Sequence, residues 1–132
     1  MDGETTTHEG SCHCGAVKWT CVGPKEIEAI VCNCSVCQKK QNTHFIVNKK
    51  CFELLSGKDN LMTYRFNTGT AQHLFCKTCG VQSFYVPRSN PDSVAIMPHC
   101  IDSKTVEKLT MRKFDGENWE RTMETQAPVA FE

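Results

Sequence analysis

The sequence predicts a small, mainly β domain with little helix that binds metal ions through cysteine. Its 132 residues suffice for one domain with a single core. Short runs of strand-forming residues alternate with turn residues along the chain, which is typical of all-β or β-rich folds. Ten residues are cysteine, and most of them are clustered. Because the core of such a domain would be small, metal cross-links would add stability.

Eight runs are predicted as strands, with turn residues such as Gly23-Pro24 and Asn90-Pro91 between many of them. They are residues 16–22, 26–31, 44–47, 52–55, 61–66, 72–75, 81–86 and 93–97. Two stretches are predicted as helical, residues 35–41 and residues 102–109, and the second begins with a capping residue. Residues 1–9 are predicted as a flexible N-terminus and residues 10–132 as one zinc-binding domain.

Charge and hydropathy exclude several classes of partner. Fifteen Lys and Arg balance fifteen Asp and Glu, so no basic surface is expected for nucleic acid or an anionic membrane. No apolar run has the length of a membrane span. The first ten residues are polar and acidic, unlike a secretory signal. We therefore expect a cytoplasmic or nuclear protein with reduced thiols.

The cysteine spacing predicts metal binding. Seven cysteines form three tight groups, which are Cys12-His-Cys14, Cys32-Asn-Cys34-Ser-Val-Cys37 and Cys76-Lys-Thr-Cys79. Disulfide frameworks spread cysteines along a chain, whereas metal sites take pairs of sulfurs from tight turns. Thiolate ligation without iron–sulfur spacing favours zinc. Seven ligands divide into four, which close a structural site, and three, which leave one position open.

Two pairings of the groups compete. Cys34 and Cys37 could join Cys76 and Cys79 in a zinc ribbon, or the Cys12/Cys14 pair could join Cys76/Cys79 and leave Cys32, Cys34 and Cys37 as the open three. Glycine follows Cys14 and Cys79, but not Cys37. Glycine allows the positive φ of a metal knuckle whose amides point at the sulfurs, so the flanking residues favour the second pairing.

Longer strings around these cysteines resemble a known family. Gly10-Ser-Cys-His-Cys-Gly-Ala-Val17, Cys32-Asn-Cys-Ser-Val-Cys37 and Phe75-Cys-Lys-Thr-Cys-Gly80 resemble the glutathione-dependent formaldehyde-activating enzymes. Further strings resemble the centromere protein V-like branch of that family. They include Lys39-Lys-Gln-Asn42, His44-Phe-Ile-Val47, Gly80-Val-Gln-Ser-Phe-Tyr85, Pro87-Arg-Ser-Asn-Pro91 and Pro98-His-Cys-Ile-Asp102.

The resemblance implies an Mss4-like fold with two zinc ions. By the family pattern, the structural zinc takes Cys12, Cys14, Cys76 and Cys79, and a second, substrate-facing zinc takes Cys32, Cys34 and Cys37. The implied activity is the condensation of glutathione with formaldehyde, which is a carbon–sulfur lyase reaction run in reverse.

Two functions follow as hypotheses. In the first, the open zinc binds a small thiol such as glutathione, which attacks formaldehyde or a related small carbonyl compound. In the second, the protein is a non-catalytic, zinc-stabilised binding module related to centromere protein V, with a possible protein partner. A protein group would then fill the fourth position of the second zinc, and the candidates are Cys100, His99, His73 and Cys51.

Other residues are weaker candidates for the site. His44, His73, His99, Cys100 and Lys39 are possible neighbours of the second zinc. Basic residues near that zinc, including Arg88, could hold the carboxylates of glutathione. Trp19 and Trp119 are expected to pack, because nothing in the sequence connects them to a site.

Overall fold

A computed structural model describes residues 4–66 and 68–132. Ten strands, two short α-helices and four single-turn 3-10 helices make up the regular structure of that part of the chain. In chain order the strands and α-helices are β1 (Thr5–Ser11), β2 (Lys18–Pro24), β3 (Glu26–Cys32), α1 (Ser35–Lys40), β4 (Phe45–Asn48), β5 (Phe52–Ser56), β6 (Leu61–Tyr64), β7 (His73–Cys76), β8 (Phe84–Tyr85), β9 (Ser93–Ile96), β10 (Lys108–Phe114) and α2 (Trp119–Gln126). The prediction of a mainly β fold is confirmed.

Four small sheets share one core. Strand β2 lies between β1 and β5, and β9 lies between β4 and β8, all antiparallel. Strands β6 and β7 form an antiparallel pair, and β10 runs parallel to β3. Isolated bridges such as Ile30 to His44 and Gln72 to Val86 join neighbouring sheets. The first bridge links β3 to the residues that precede β4, and the second links the start of β7 to the end of β8.

The core is built around Trp19 on β2. Its side chain is 1% exposed, and its Nε1 donates a hydrogen bond to Ser83 Oγ at 3.0 Å. Phe52 packs on the indole with ring centroids 5.9 Å apart, and Phe84 packs on Phe52 at 4.7 Å. The polar edge of this large side chain is thus satisfied inside the core, as a buried indole requires.

Strand β1 overlaps the segment predicted as a flexible N-terminus. Residues 1–3 lie outside the described residues, but Thr5–Ser11 pairs along its whole length with β2. The inward side chain at its centre is His8, which is fully buried and hydrogen-bonded through Nδ1 to Thr105 Oγ1 at 2.6 Å and through Nε2 to the Pro24 carbonyl at 2.9 Å. Because a histidine takes the place of an apolar residue, the strand has no hydrophobic alternation.

The C-terminal third also differs from the prediction. The helix predicted over residues 102–109 is absent there; turns are followed by β10. Of the predicted strand 81–86, only Phe84–Tyr85 joins a ladder. Helix α2 was not predicted at all. No helix among the described residues is long and apolar enough to span a membrane.

Candidate metal centres and the cavity beside them

The first cysteine cluster joins two turns that are far apart in the sequence. Cys12 and Cys14 follow β1, and Cys76 and Cys79 form the turn that ends β7. Their four Sγ atoms all lie within 4.8 Å of one another. Cys14 Sγ lies 3.7 Å from Cys12 Sγ and 3.6 Å from Cys76 Sγ. Sulfurs at about 2.3 Å from a tetrahedral zinc would be about 3.8 Å apart, so this set fits zinc.

Backbone and amide donors surround the same sulfurs. The Val17 N–H donates to Cys12 Sγ at 3.4 Å, and the Thr78 N–H donates to Cys76 Sγ at 3.4 Å. Asn60 Nδ2 donates to Cys76 Sγ at 3.1 Å. The backbone N–H of Cys79 is the main cause that lowers the pKa of the Cys76 thiol to about 6. Thiolate is the form that binds metal, so these donors prepare the site.

Glycines permit both turns, as the sequence predicts. Gly15 has φ +84° and Gly80 has φ +78°, in the left-handed region that side chains rarely adopt. Of the two pairings left open by the spacing, the structure brings together the Cys12/Cys14 pair and the Cys76/Cys79 pair.

The second cluster holds three cysteines. Cys32 ends β3, Cys34 precedes α1 and Cys37 lies within α1, and their sulfurs all lie within 4.8 Å of one another. The neighbouring thiols of Cys32 and Cys37 lower the pKa of Cys34 to about 2, and the neighbouring thiols of Cys32 and Cys34 raise the pKa of Cys37. Among the residues that the structure describes, no other Cys, His, Asp or Glu completes this group. The donor set therefore fits a zinc with one position left for another ligand.

A cavity of about 530 Å³ opens at the second cluster. All three cysteines line it, as do His44, His73 and Tyr85. Its volume lies in the range of pockets that enclose small organic ligands. The three-cysteine cluster thus faces the cavity.

Aromatic rings form one wall of the cavity. Tyr85 meets His44 edge-on at 5.2 Å and stacks on His73 at 5.0 Å and 15°. His73 stacks in turn on Phe66 at 5.7 Å. Burial raises the pKa of Tyr85 and lowers the pKa of both histidines, so the wall carries neutral side chains.

His73 is the unusual member of this wall. It is 2% exposed, and its Nδ1 has no hydrogen-bond partner among the described residues. His44 differs, since its Nδ1 lies 2.8 Å from the Asn42 carbonyl. A buried ring nitrogen without a partner costs stability, so His73 is the member of the wall that packing alone does not explain.

The other residues predicted to neighbour the second zinc do not line the cavity. His99 is exposed in the turn Pro98–Cys100. Cys100 is buried, and that burial raises its pKa to about 11; Cys12 and Cys79 of the first cluster are close enough to contribute. Cys51 neighbours Cys21, and exposed Lys39 is not among the described residues that line the cavity.

Several of the residues that line the cavity were not identified from the sequence. Trp119, expected only to pack, lines the cavity. The guanidinium of Arg88, which the sequence did suggest as a carboxylate ligand, lies 3.8 Å from the Trp119 ring centre. Tyr85 and Phe66 were read only as strand residues. Nothing in the local sequence distinguishes them from core residues, because they meet the cysteines only through tertiary packing.

Comparison with known proteins agrees with this arrangement. A Rhodobacter sphaeroides protein, solved by crystallography as a structural-genomics target, superposes with a TM-score of 0.64 at 28% identity, over 79% of this chain and 99% of the other. The model of the glutathione-dependent formaldehyde-activating enzymes, whose fold is Mss4-like, matches residues 7–118, which include both clusters. The chain belongs to the glutathione-dependent formaldehyde-activating enzyme family.

Proposed function

We propose that the protein adds a small thiol, such as glutathione, to formaldehyde or a related small carbonyl compound. With glutathione and formaldehyde the product is S-hydroxymethylglutathione, and the reverse reaction is that of a carbon–sulfur lyase. The observation that carries the proposal is the three-cysteine cluster that opens into a cavity of about 530 Å³. Family membership supports the same chemistry.

Zinc is the proposed cofactor of both clusters. Cys12, Cys14, Cys76 and Cys79 would hold a structural ion, and Cys32, Cys34 and Cys37 would hold the second. When bound there, zinc supplies a position at which a thiol loses its proton near neutral pH. Three thiolates leave the site with a formal charge of −1, so orientation of the substrate contributes more than polarisation of the carbonyl.

The chain's own residues would orient the reactants. The substrate's thiolate attacks the carbonyl carbon, a carbon–sulfur bond forms, and the carbonyl electron pair moves to oxygen, which then takes a proton. His73 is the candidate donor to that oxygen, because it lines the cavity and its ring has a nitrogen, Nδ1, without a hydrogen-bond partner in the described chain. The aromatic wall of His44, Tyr85 and Phe66 holds the His73 ring in place.

The geometry favours this proposal over a non-catalytic module with a closed second zinc. A closed site needs a fourth protein ligand. Cys100 and Cys51 neighbour other cysteines, and His99 is exposed. His73 lines the cavity but does not join the group of mutually close ligand atoms. A link to the centromere protein V-like branch and to a protein partner stays a prediction.

Exchange spectroscopy by NMR tests the reaction, because the uncatalysed addition is itself fast. We expect the zinc-loaded protein to raise the rate of exchange between glutathione and its hydroxymethyl adduct. Cys34→Ala should abolish that increase, whereas Cys51→Ala, which alters a cysteine outside both clusters, should keep it. Acceleration by Cys34→Ala equal to that of the native protein would refute the proposal.

A further inference from the structure

The end of the chain forms one wall of the cavity. We call residues 119–131 the C-terminal strap. Trp119, at its start, and Pro128, near its end, both line the cavity. The family model matches only as far as residue 118, so the strap lies outside the part of the chain that identifies the family. One wall of the cavity thus comes from a segment beyond the family match.

Hydrogen bonds fix the strap at its far end. Asn90 Nδ2 donates to the Pro128 carbonyl at 3.3 Å. The Phe131 N–H donates to the Ile46 carbonyl at 2.8 Å, and the Asn48 N–H donates to the Phe131 carbonyl at 2.7 Å. Because its last residues are hydrogen-bonded to β4, the strap is held in a fixed position where it forms one wall of the cavity.

Arg88 lies between the strap and the cavity. Its guanidinium stacks on the Trp119 ring at 3.8 Å, and both residues line the cavity. Within residues 4–66 and 68–132, Arg88 has no carboxylate within 4.0 Å and no side-chain hydrogen bond. Stacking occupies one face of the guanidinium plane and leaves the N–H groups at its edge free to donate.

Charge in the cavity gives Arg88 a specific role. Of the described residues that line the cavity, Arg88 is the only Arg or Lys. A divalent ion with three thiolates is already negative, and a bound substrate thiolate adds one more negative charge. A substrate that also carries a carboxylate needs a cation, and a guanidinium edge matches a carboxylate with two parallel hydrogen bonds.

We propose that Arg88, held by Trp119 of the C-terminal strap, binds a carboxylate of the thiol substrate. The cavity then has two recognition points, the three-cysteine cluster for sulfur and Arg88 for the carboxylate. Arg88 would therefore be the residue that makes the cavity prefer a carboxylate-bearing thiol over an uncharged thiol. This inference rests on the proposed function for the thiol but names a separate subsite.

Calorimetry on the zinc-loaded protein tests the subsite without an activity assay. The two probes are reduced glutathione and its diethyl ester, which keeps the thiol but lacks free carboxylates. We expect the native protein to bind glutathione about tenfold more tightly than the ester, which is typical of one charge-assisted contact. Arg88→Gln should bind the two probes equally, with glutathione weakened to the affinity of the ester.

Matched variants separate this role from a general effect on charge or folding. Arg121→Gln removes an exposed arginine of α2 outside the cavity lining, and it should keep the tenfold preference. Trp119→Leu should reduce the preference while zinc content and the far-ultraviolet circular dichroism stay unchanged. Arg88→Lys should restore only part of it, because lysine lacks the planar fork.

Each outcome decides between the two proposals. Equal affinity of the native protein for glutathione and its ester would overturn the carboxylate subsite, as would a preference that survives in Arg88→Gln. Glutathione binding that is lost in Cys34→Ala would then still support the proposed function. If the native protein bound neither probe, the proposed function would fail and the subsite with it.

Discussion

Gly116 lies directly against Cys32 of the second cluster. A Cβ at residue 116 would overlap Cys32 Sγ and would lie 2.8 Å from Cys34 Cβ. The turn that carries Gly116 is held in place by Asn33, whose Oδ1 accepts from the Glu117 N–H at 2.9 Å and whose Nδ2 donates to Asp115 Oδ1 at 3.0 Å. Close approach of this turn therefore shapes the cluster from the side of β10.

Gly116→Ala should impair the second metal site alone. The added methyl group must displace Cys32 or Cys34, so we expect zinc affinity at that site to fall by at least about tenfold. Gly23→Ala is the matched control, because its Cβ would meet His8 and Phe45 at an ordinary 3.5 Å. Competition with a chromophoric chelator measures both sites. Two zinc ions held with native affinity by Gly116→Ala would contradict this account.

His73→Phe should separate stability from activity. Phenylalanine keeps the stacking on Tyr85 and Phe66 but removes the buried Nδ1 that lacks a partner in the described structure. We expect the free energy of unfolding to rise by about 1 kcal/mol, because an unsatisfied buried nitrogen is lost. We expect catalysed exchange to fall by about 100-fold, because the donor to the substrate oxygen is lost. Thermal unfolding and exchange spectroscopy measure the two effects. A stabilised variant whose exchange rate equals that of the native protein would show that His73 takes no part in the reaction.

Asn60→Leu should weaken only the first metal site. The Asn60 amide donates to Cys76 Sγ at 3.1 Å and to Thr78 Oγ1 at 3.0 Å, so it both stabilises the thiolate and fixes the turn. Loss of such a contact typically lowers metal affinity by about 10- to 100-fold. Chelator competition should show one weakened and one native site. A change at the second site instead would show that the two clusters are coupled.

Cys12→Ser should destabilise the whole domain, because the first cluster ties the end of β1 to the end of β7. Metal binding to such a site contributes directly to folding, so we expect a loss of at least about 3 kcal/mol in the free energy of unfolding. Cys34→Ala should leave the fold intact, since its cluster lies within one short segment. Urea unfolding of both variants in the presence of zinc compares them. Equal loss of stability would mean that both clusters are structural.

The cysteine clusters could be predicted because ligands of one metal site lie two or three residues apart in the sequence. Cys12, Cys14, Cys76 and Cys79 meet as the glycines after Cys14 and Cys79 indicate. The cavity could not be predicted in the same way. Arg88 and Trp119 are 31 residues apart in the sequence, and only the tertiary fold stacks them.

The same reasoning explains the missed elements of structure. Strand β1 places His8 where a strand pattern would place an apolar residue. Strand β10 carries exposed Leu109 and Met111, so its apolar residues do not alternate in a way that indicates one buried face. The capping residue Asp102 suggested a helix, but the backbone N–H groups of Asp102 and Ser103 both donate to the Glu9 carbonyl. Tertiary pairing with β1 prevailed over local propensity.

Zinc content together with glutathione binding tests the central claim most directly, which is that Cys32, Cys34 and Cys37 hold an open, thiol-binding ion. Zinc per chain and glutathione affinity would be measured on the native protein and on Cys34→Ala. The account predicts two zinc ions and bound glutathione in the native protein, and one zinc ion and no glutathione binding in Cys34→Ala. Undiminished glutathione binding by Cys34→Ala with a single zinc ion would contradict it.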